Sequence, residues 1–118
     1  MDQFDHEKLD VYQIAIDWVS LAQDIAEALP GKGKGTLTDQ LQRAASSIPL
    51  NIAEGAGEFS GAEKARFYRM AKRSATECAA VLDVAKRRSS ITRQHYADGR
   101  SLLLRIVSML IKLVRSHS

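Results

Sequence analysis

The amino-acid sequence predicts an all-α protein of a single domain. Its 118 residues can enclose one ordinary hydrophobic core but not two. Apolar residues recur with helical spacing in four segments, and no segment alternates apolar and polar residues as a half-buried strand would. Hydrophobic residues make up 45% of the chain and prolines number only two, which indicates a folded protein. We therefore predict four helices, over residues 5–29, 36–57, 60–88 and 92–116.

The first predicted helix has an apolar face and an acidic face. Asp5 is placed to act as its N-cap. Asp10, Asp17 and Asp24 recur every seven residues and form the acidic face. The residues expected to face the core are Leu9, Tyr12, Ile16, Val19, Ile25 and Leu29.

The second predicted helix carries a proline in its interior. Thr36 followed by Asp39 is typical of a capped helix start. Pro49 cannot donate a backbone hydrogen bond and costs about 3 kcal/mol in a helix interior unless packing compensates, so we expect a kink there. Gly55 or Gly57 is expected to end the helix in the left-handed conformation. The predicted apolar face consists of Leu37, Leu41, Ala44, Ile48 and Ile52.

A polar column borders the apolar face of the second helix. It consists of Gln40, Ser47, Asn51 and Glu54. These side chains need hydrogen-bond partners, because an unpaired polar group is costly to bury. The partners expected on the third helix are Arg66, Arg69, Arg73 and Ser74. We interpret the stretch as a structural joint, comprising Ser47, Pro49, Asn51, Glu54 and Gly55, in which Asn51 and Glu54 make buried or half-buried hydrogen bonds.

The third predicted helix is the most basic part of the chain. Ser60 and Glu63 match a capping box at its start. Residues 62–118 hold 13 Lys and Arg against 4 Asp and Glu, whereas residues 1–61 hold 4 against 10. Such a layout suits either a basic surface for a polyanion or self-association of unlike halves. The candidate nucleic-acid-binding residues are Lys64, Arg66, Arg69, Lys72, Arg73, Lys86, Arg87 and Arg88.

The aromatic residues add little to this candidate interface. The inward face of the third helix is expected to comprise Phe67, Met70, Ser74, Cys78, Val81 and Ala85. Tyr12 and Trp18 also lie on or near predicted apolar faces. Tyr68 is the remaining candidate for stacking on a base.

The fourth predicted helix has little polar surface. Ten of the thirteen residues from Leu102 to Val114 are apolar, and the exceptions Arg105, Ser108 and Lys112 lie on one narrow strip. In an isolated four-helix bundle, each helix should expose about half of its circumference to solvent. The surplus apolar face of the fourth helix is therefore expected to contact another subunit. A membrane span is disfavoured, because it needs about 20 apolar residues and tolerates charges poorly. The candidate interface residues are Leu103, Ile106, Val107, Leu110, Ile111 and Val114.

No residue pattern predicts catalysis, a metal or a cofactor. The loop PGKGKGT, residues 30–36, lacks the spacing of a phosphate-binding loop and follows no strand, so we interpret it as a mobile basic linker. The three histidines are scattered, and the single cysteine, Cys78, leaves no disulfide or zinc cluster and is expected to be a buried apolar residue. Glu54 has no nucleophile or second carboxylate beside it. We therefore predict a non-enzymatic protein.

Residues 37–77 carry a recognisable signature, LTDQLQRAASSIPLNIAEGAGEFSGAEKARFYRMAKRSATE. Its elements are Gln40 with Arg43, an Ala-Ala-x-Ser-Ile-Pro run at 44–49, Asn-Ile-Ala-Glu-Gly at 51–55, and a Phe-x-x-x-Ala-x-x-Ser run ahead of Glu77. Together with the opening FDHEKLDVYQIA, they resemble the S23 family of four-helix-bundle proteins, encoded in intervening sequences of bacterial 23S rRNA genes. One departure is Arg73, where the family often has glycine, which favours a surface role for this arginine.

The resemblance implies an antiparallel, up-and-down four-helix bundle that assembles into a ring or barrel of five subunits. A related protein, the accessory variability protein of diversity-generating retroelements, forms a basic pentameric barrel that binds nucleic acid and a reverse transcriptase. For the S23 proteins the resemblance implies no enzymatic activity, and RNA is the expected association.

Two functions of different class follow from these patterns. The first is an oligomeric protein that binds RNA or DNA non-specifically through basic surface residues. The alternative is a structural or adaptor oligomer that binds a protein partner and uses its charges for subunit assembly. Since the acidic, polar start MDQFDHEKLD is unlike a secretory signal, we expect a cytoplasmic protein.

Overall fold

The computed structural model describes residues 2–118 as four α-helices preceded by a short 3₁₀ turn, Asp5–Lys8. The helices are α1 (Asp10–Ala28), α2 (Leu37–Ala56), α3 (Gly61–Arg87) and α4 (Arg93–His117). No strand occurs in residues 2–118, so the predicted all-α fold is confirmed. Within the same range, no helix combines the length and the apolar character that crossing a membrane needs.

Successive helices run in opposite directions and occupy the corners of a square. At one end of the bundle, Gly61 at the start of α3 lies against the backbone carbonyl of His117 at the end of α4. Towards the other end, Tyr96 in the first turn of α4 donates a hydrogen bond to Asp83 near the end of α3. The helices α1 and α3 each pack on α2 and α4, but the backbones of α1 and α3 do not come close to each other, and inward side chains such as Trp18 and Cys78 meet between them. The two helices therefore stand at diagonally opposite corners.

Side chains from all four helices fill the space between the corners. The largest of them include Trp18 of α1, Leu41 of α2, Tyr68 of α3 and Ile106 of α4, all at most 2% exposed. The buried face of α3 is rich in alanine, which allows its neighbours to approach closely.

Hydroxyl side chains cap three of the helix starts. Thr36, Ser60 and Thr92 each accept a hydrogen bond from the backbone N–H three residues further on, at 3.0 to 3.1 Å. The caps predicted at Thr36 and Ser60 are thus confirmed. The reciprocal half of the predicted capping box is not formed, because the Glu63 carboxylate pairs with Arg66 instead.

The first helix differs from its prediction in its start and its inward face. Leu9 has extended backbone angles and separates the 3₁₀ turn from α1, so Asp5 is not the N-cap of one long helix. Ile16, predicted to face the core, is 42% exposed. The buried residues of α1 are Val11, Ile14, Ala15, Trp18, Ala22, Ile25 and Ala26. Trp18 has the largest apolar surface to bury, and its inward position rotates Ile16 outward.

Part of the interface predicted on α4 belongs to the core of the subunit itself. Leu103, Ile106 and Leu110 are at most 2% exposed and pack in the common core. The interface prediction is therefore wrong for these three residues, because one face of the apolar helix is needed to fill its own bundle. The remaining candidates are half-buried: Val107, Ile111 and Val114.

Cys78 lies in the core on the inward face of α3, as predicted. Burial raises the pKa of its thiol to about 12, and the Trp18 side chain opposes part of this rise. The thiol is therefore both protonated and shielded from solvent at neutral pH.

We expect Cys78 to react with an aromatic disulfide reagent at least on the order of 10³-fold more slowly in the native protein than in urea, because the core must open first. The absorbance of the released thiolate at constant pH measures both rates. A native rate within about tenfold of the unfolded rate would contradict this burial. The free energy of unfolding should also fall as the pH rises from the ordinary thiol pKa toward 12, because only the unfolded state ionises in that window.

Candidate nucleic-acid interface

Two of the basic residues predicted on α3 are engaged within the subunit. Lys64 donates a hydrogen bond to the backbone carbonyl of Ala56 at 2.9 Å and so satisfies the C-terminal end of α2. Arg66 pairs with Glu63 at 3.1 Å, and its guanidinium lies 4.4 Å from the centre of the Phe67 ring. The hydrogen bond to Glu63 raises the pKa of Arg66 above its ordinary value. These two charges are therefore less available to an anion.

A third predicted residue, Lys86, joins α3 to α4. Its ammonium group lies 4.4 Å from the centre of the Tyr96 ring. The hydroxyl of Tyr96 donates to Asp83 at 2.7 Å, and this hydrogen bond raises the pKa of Tyr96. Lys86 therefore contributes to the contact between the two helices.

The other five predicted basic residues, four in α3 and its C-cap residue, have no hydrogen bond or ion pair among residues 2–118. They are Arg69, Lys72, Arg73, Arg87 and Arg88. Arg69 and Arg73 are exposed and lie four residues apart, on one face of the helix. Lys72 is half-buried beside them, while Arg87 and Arg88 are exposed at the end of the helix, where its dipole favours cations. We call these five residues the free basic group of α3.

Tyr68, the predicted stacking residue, is not part of this surface. Its side chain is 2% exposed, and burial raises the pKa of its phenol. The prediction that it stacks on a base is therefore wrong. The physical cause is the rotation of α3, which turns Tyr68 inward and leaves Met70 37% exposed.

The acidic face of α1 lies at the corner diagonally opposite α3. Its carboxylates belong to Asp10, Asp17, Asp24 and Glu27, which are all exposed. The helix contains no Lys or Arg. Because the backbones of α1 and α3 do not come close and no ion pair joins their side chains in residues 2–118, these carboxylates do not neutralise the cations of α3 within the subunit. The charge asymmetry of the sequence is thus a separation of charge across the molecule.

The helix α4 also carries exposed cations, which were not among the predicted interface residues. They are Arg93, Arg100, Arg105, Lys112 and Arg115. The sequence carries a signal for two of them, since Arg105 and Lys112 share the polar strip of that helix. The exposure of Arg93, Arg100 and Arg115 depends on how α4 is rotated against α3, which the sequence does not show.

The polar column of α2 meets α3 along an open groove. The hydroxyl oxygens of Ser47 and Ser74 lie 2.7 Å apart. Asn51 Nδ2 donates to the Ser47 carbonyl at 2.9 Å and to the Ser47 hydroxyl at 3.0 Å. Ser74 is one of the predicted partners, so this part of the joint is confirmed. The groove encloses about 430 Å³, and Arg73 and Glu77 line it beside these hydroxyl and amide groups.

Glu54 does not take part in the joint. Its side chain is exposed and makes no hydrogen bond or ion pair among residues 2–118. The prediction of a half-buried hydrogen bond is therefore wrong for Glu54, which lies on the solvent side of the column. Pro49 is buried, and α2 continues through it without a break.

Gly55 and Gly57 also differ from their predicted role. Neither has a positive φ, and Gly57 ends α2 with right-handed helical angles. A Cβ at Gly55 would lie 2.8 Å from Cε1 of Tyr68 and 3.0 Å from Cβ of Phe67. Gly55 therefore permits the close approach of α2 and α3, where a side chain would clash.

The side chains of the candidate interface can form ionic contacts and hydrogen bonds. In residues 2–118, no three His, Cys, Asp or Glu side chains are grouped so that they could hold a metal ion. The exposed guanidinium and ammonium groups can bind anions by charge and by hydrogen bonds to phosphate oxygens.

These features define a class of protein, a four-helix bundle with a basic helix and an acidic helix at opposite corners. The sequence matches the family described as 23S rRNA-intervening sequence protein over residues 7–112, and the chain belongs to that family. The resemblance seen in the sequence is thereby confirmed.

The fold is shared with a solved structure. It is the crystal structure of a protein of unknown function from the S23 ribosomal protein family of Bacteroides thetaiotaomicron. The two chains are 23% identical with a TM-score of 0.80, and the match covers 88% of this chain and 97% of that one. A search of curated proteins finds no match.

Replacing Gly55 with alanine should destabilise the protein by about 1–3 kcal/mol, because the new methyl group would clash with Tyr68 and Phe67. Gly57→Ala is the matched control. A Cβ there meets only the Ala53 and Glu54 carbonyls at ordinary contact distance. We therefore expect Gly57→Ala to raise the free energy of unfolding by about 0–1 kcal/mol. Urea denaturation followed by circular dichroism measures both variants. Equal effects would contradict the close approach at Gly55.

Replacing Ser47 with alanine should lower the free energy of unfolding by about 1–2 kcal/mol, since it removes hydrogen bonds to Ser74 and Asn51. Glu54→Ala, from the same polar column, should change it by less than about 0.5 kcal/mol. Thermal and urea unfolding of the two variants provide the comparison. If Glu54→Ala were the more destabilising change, the assignment of the joint to Ser47, Asn51 and Ser74 would be wrong.

Proposed function

We propose that this protein is a non-enzymatic homo-oligomer that binds RNA or DNA non-specifically through basic surface residues. One observation carries the proposal. The five cations of the free basic group, which belong to α3 and its C-cap, have no hydrogen bond or ion pair within the described part of the subunit, and they lie away from the acidic helix α1. The assembly we propose is a pentamer, the number that the family resemblance implies, and the expected location is the cytoplasm.

The free basic group suits a phosphate backbone better than a base edge. Arg69 and Arg73 are exposed side chains on one face, and neutralising phosphates with such cations releases counterions and gives affinity without sequence information. Tyr68 is buried and cannot supply stacking. We therefore expect binding that tolerates changes of sequence.

The groove between α2 and α3 offers further phosphate contacts. Arg73 lies along it beside the hydroxyls of Ser47 and Ser74 and the amide of Asn51. Hydroxyl and amide groups commonly accompany arginine at phosphate oxygens. Glu77 also lines the groove, and its charge favours placing the phosphate at the Arg73 end.

The acidic face of α1 limits where on the molecule a polyanion can bind. Asp10, Asp17 and Asp24 would repel a polyanion from their corner of the bundle. The family is named for an intervening sequence of 23S rRNA, so a structured RNA is the first polyanion to test.

A structural or adaptor oligomer is the second candidate. The observation that favours it is the same separation of charge, because the acidic corner of one copy complements the basic corner of another. In that case a protein partner would bind the assembly, and the cations would be covered by neighbouring subunits.

Salt dependence of RNA binding separates the two candidates. At about 50 mM salt the unaltered protein should bind a structured RNA, with affinity falling steeply as salt rises. Arg69→Ala combined with Arg73→Ala should weaken binding and lower the slope of log affinity against log salt by about 1.4 to 1.8. Fluorescence anisotropy over a salt series measures both quantities.

The matched control is Lys32→Ala combined with Lys34→Ala. It removes the same charge from the loop between α1 and α2, outside the free basic group, and should leave the slope nearly unchanged. The absence of RNA binding at about 50 mM salt would overturn the proposal. If the two double variants lost the same amount of RNA affinity, net charge alone would explain the attraction. The free basic group would then be excluded as the binding site.

A further inference from the structure

Phe59 projects from the molecule without any covering side chain. It lies in the four-residue connection between α2 and α3 and is 101% exposed. As the residue before the N-cap Ser60, it occupies the position of a hydrophobic staple, but the staple partner four residues after the N-cap is Lys64, which is not apolar. The phenyl ring therefore has no partner in its own helix.

The connection that carries Phe59 is held at both sides. The backbone N–H of Glu58 donates to the Gly55 carbonyl at 3.2 Å, and Ser60 caps α3 through the Glu63 N–H at 3.1 Å. The ring is thus presented from a fixed backbone, which lowers the entropy cost of burying it in a partner.

An apolar groove of about 430 Å³ lies on another side of the bundle, between α1 and α4. Leu9, Val11, Met109 and Leu113 supply its apolar lining. Asp10 and Lys112 stand at its rim. The volume and the lining suit an aromatic side chain.

The Phe59 connection and the groove are at the same end of the bundle but on opposite sides. The groove is formed where α1 begins and α4 ends, and the start of α3 lies against the end of α4 at His117. In the square of helices, the side formed by α2 and α3 is opposite the side formed by α1 and α4. A single chain therefore cannot fill its own groove with Phe59.

We propose that Phe59 of one copy inserts into the α1–α4 groove of a second copy of this chain. The contact is head-to-tail, since different surfaces of the two copies meet, and it can be repeated from copy to copy. Because both surfaces lie at one level of the bundle, each copy is added with little rise along the bundle axis, and the angle between the two surfaces decides whether the copies close into a ring. Glu58 beside the ring and Lys112 on the α4 side of the rim bring opposite charges to the contact, whereas Asp10 on the α1 side carries the same charge as Glu58.

This inference rests on the oligomer part of the proposed function and identifies the contact that forms it. It assigns no role to the free basic group of α3. The second copy is the occupant favoured here because the same chain supplies a fixed, unpartnered aromatic side chain, a groove of matching character and complementary charges.

Light scattering and sedimentation over a concentration series test the contact. The unaltered chain should form a discrete assembly larger than the 13.0 kDa subunit. Phe59→Ser should raise the dissociation constant of the assembly about tenfold or more, because it removes the central anchor. Leu50→Ser is the matched control: Leu50 is an apolar residue of α2 that is 64% exposed and lies outside both surfaces, so the assembly should persist.

Charge exchange gives a second, independent variant. Lys112→Glu should weaken the assembly, and adding Glu58→Lys to the same chain should restore it. Circular dichroism checks that each variant is folded. An unaltered chain that stays monomeric at about 100 μM, a Phe59→Ser variant with unchanged assembly, or a double charge variant without recovery would each overturn the inference.

RNA binding of the same samples keeps the two proposals apart. Assembly that depends on Phe59 without RNA binding would support this inference and refute nucleic-acid binding. RNA binding by a chain that is monomeric at every concentration would refute this inference and support nucleic-acid binding. If a protein from the host occupies the groove instead, the isolated chain will be monomeric, and that result also overturns the inference.

Discussion

The close contact between Gly55 of α2 and the ring of Tyr68 of α3 constrains much of the bundle. With no side chain at Gly55, the two helices approach closely enough for the Ser47 and Ser74 hydroxyls to meet at 2.7 Å further along the pair. The same contact turns Tyr68 inward and fixes the rotation of α3. That rotation then decides which cations of α3 face solvent and which are engaged.

The pair of α2 and α3 is also held at its turn. Lys64 donates a hydrogen bond to the carbonyl of Ala56, the last residue of α2, and Ser60 caps α3. Between Ala56 and Ser60 the connection has one large apolar side chain, Phe59, and this side chain points away from the core. The exposure of this ring is therefore a consequence of a short, well-satisfied connection.

The separation of charge follows from connectivity. An up-and-down bundle places the first and third helices at a diagonal, so an acidic first helix and a basic third helix cannot neutralise each other in one subunit. Both candidate functions use this property. A polyanion would be attracted to one corner and repelled from the other, and a second subunit would find complementary charges on opposite sides.

The sequence by itself determined the number of helices, their approximate ends, the caps at Thr36 and Ser60, the family, and the pairing of the α2 polar column with Ser74. These features depend on local hydrogen bonding and on patterns of apolar residues, which the sequence displays directly. Tertiary structure alone decided the rotation of each helix. Trp18 and Tyr68 occupy the core in place of residues on neighbouring faces of their own helices, so Ile16 and Met70 are exposed. Helical spacing could not show this, because it defines a face only to within about one residue step of 100°.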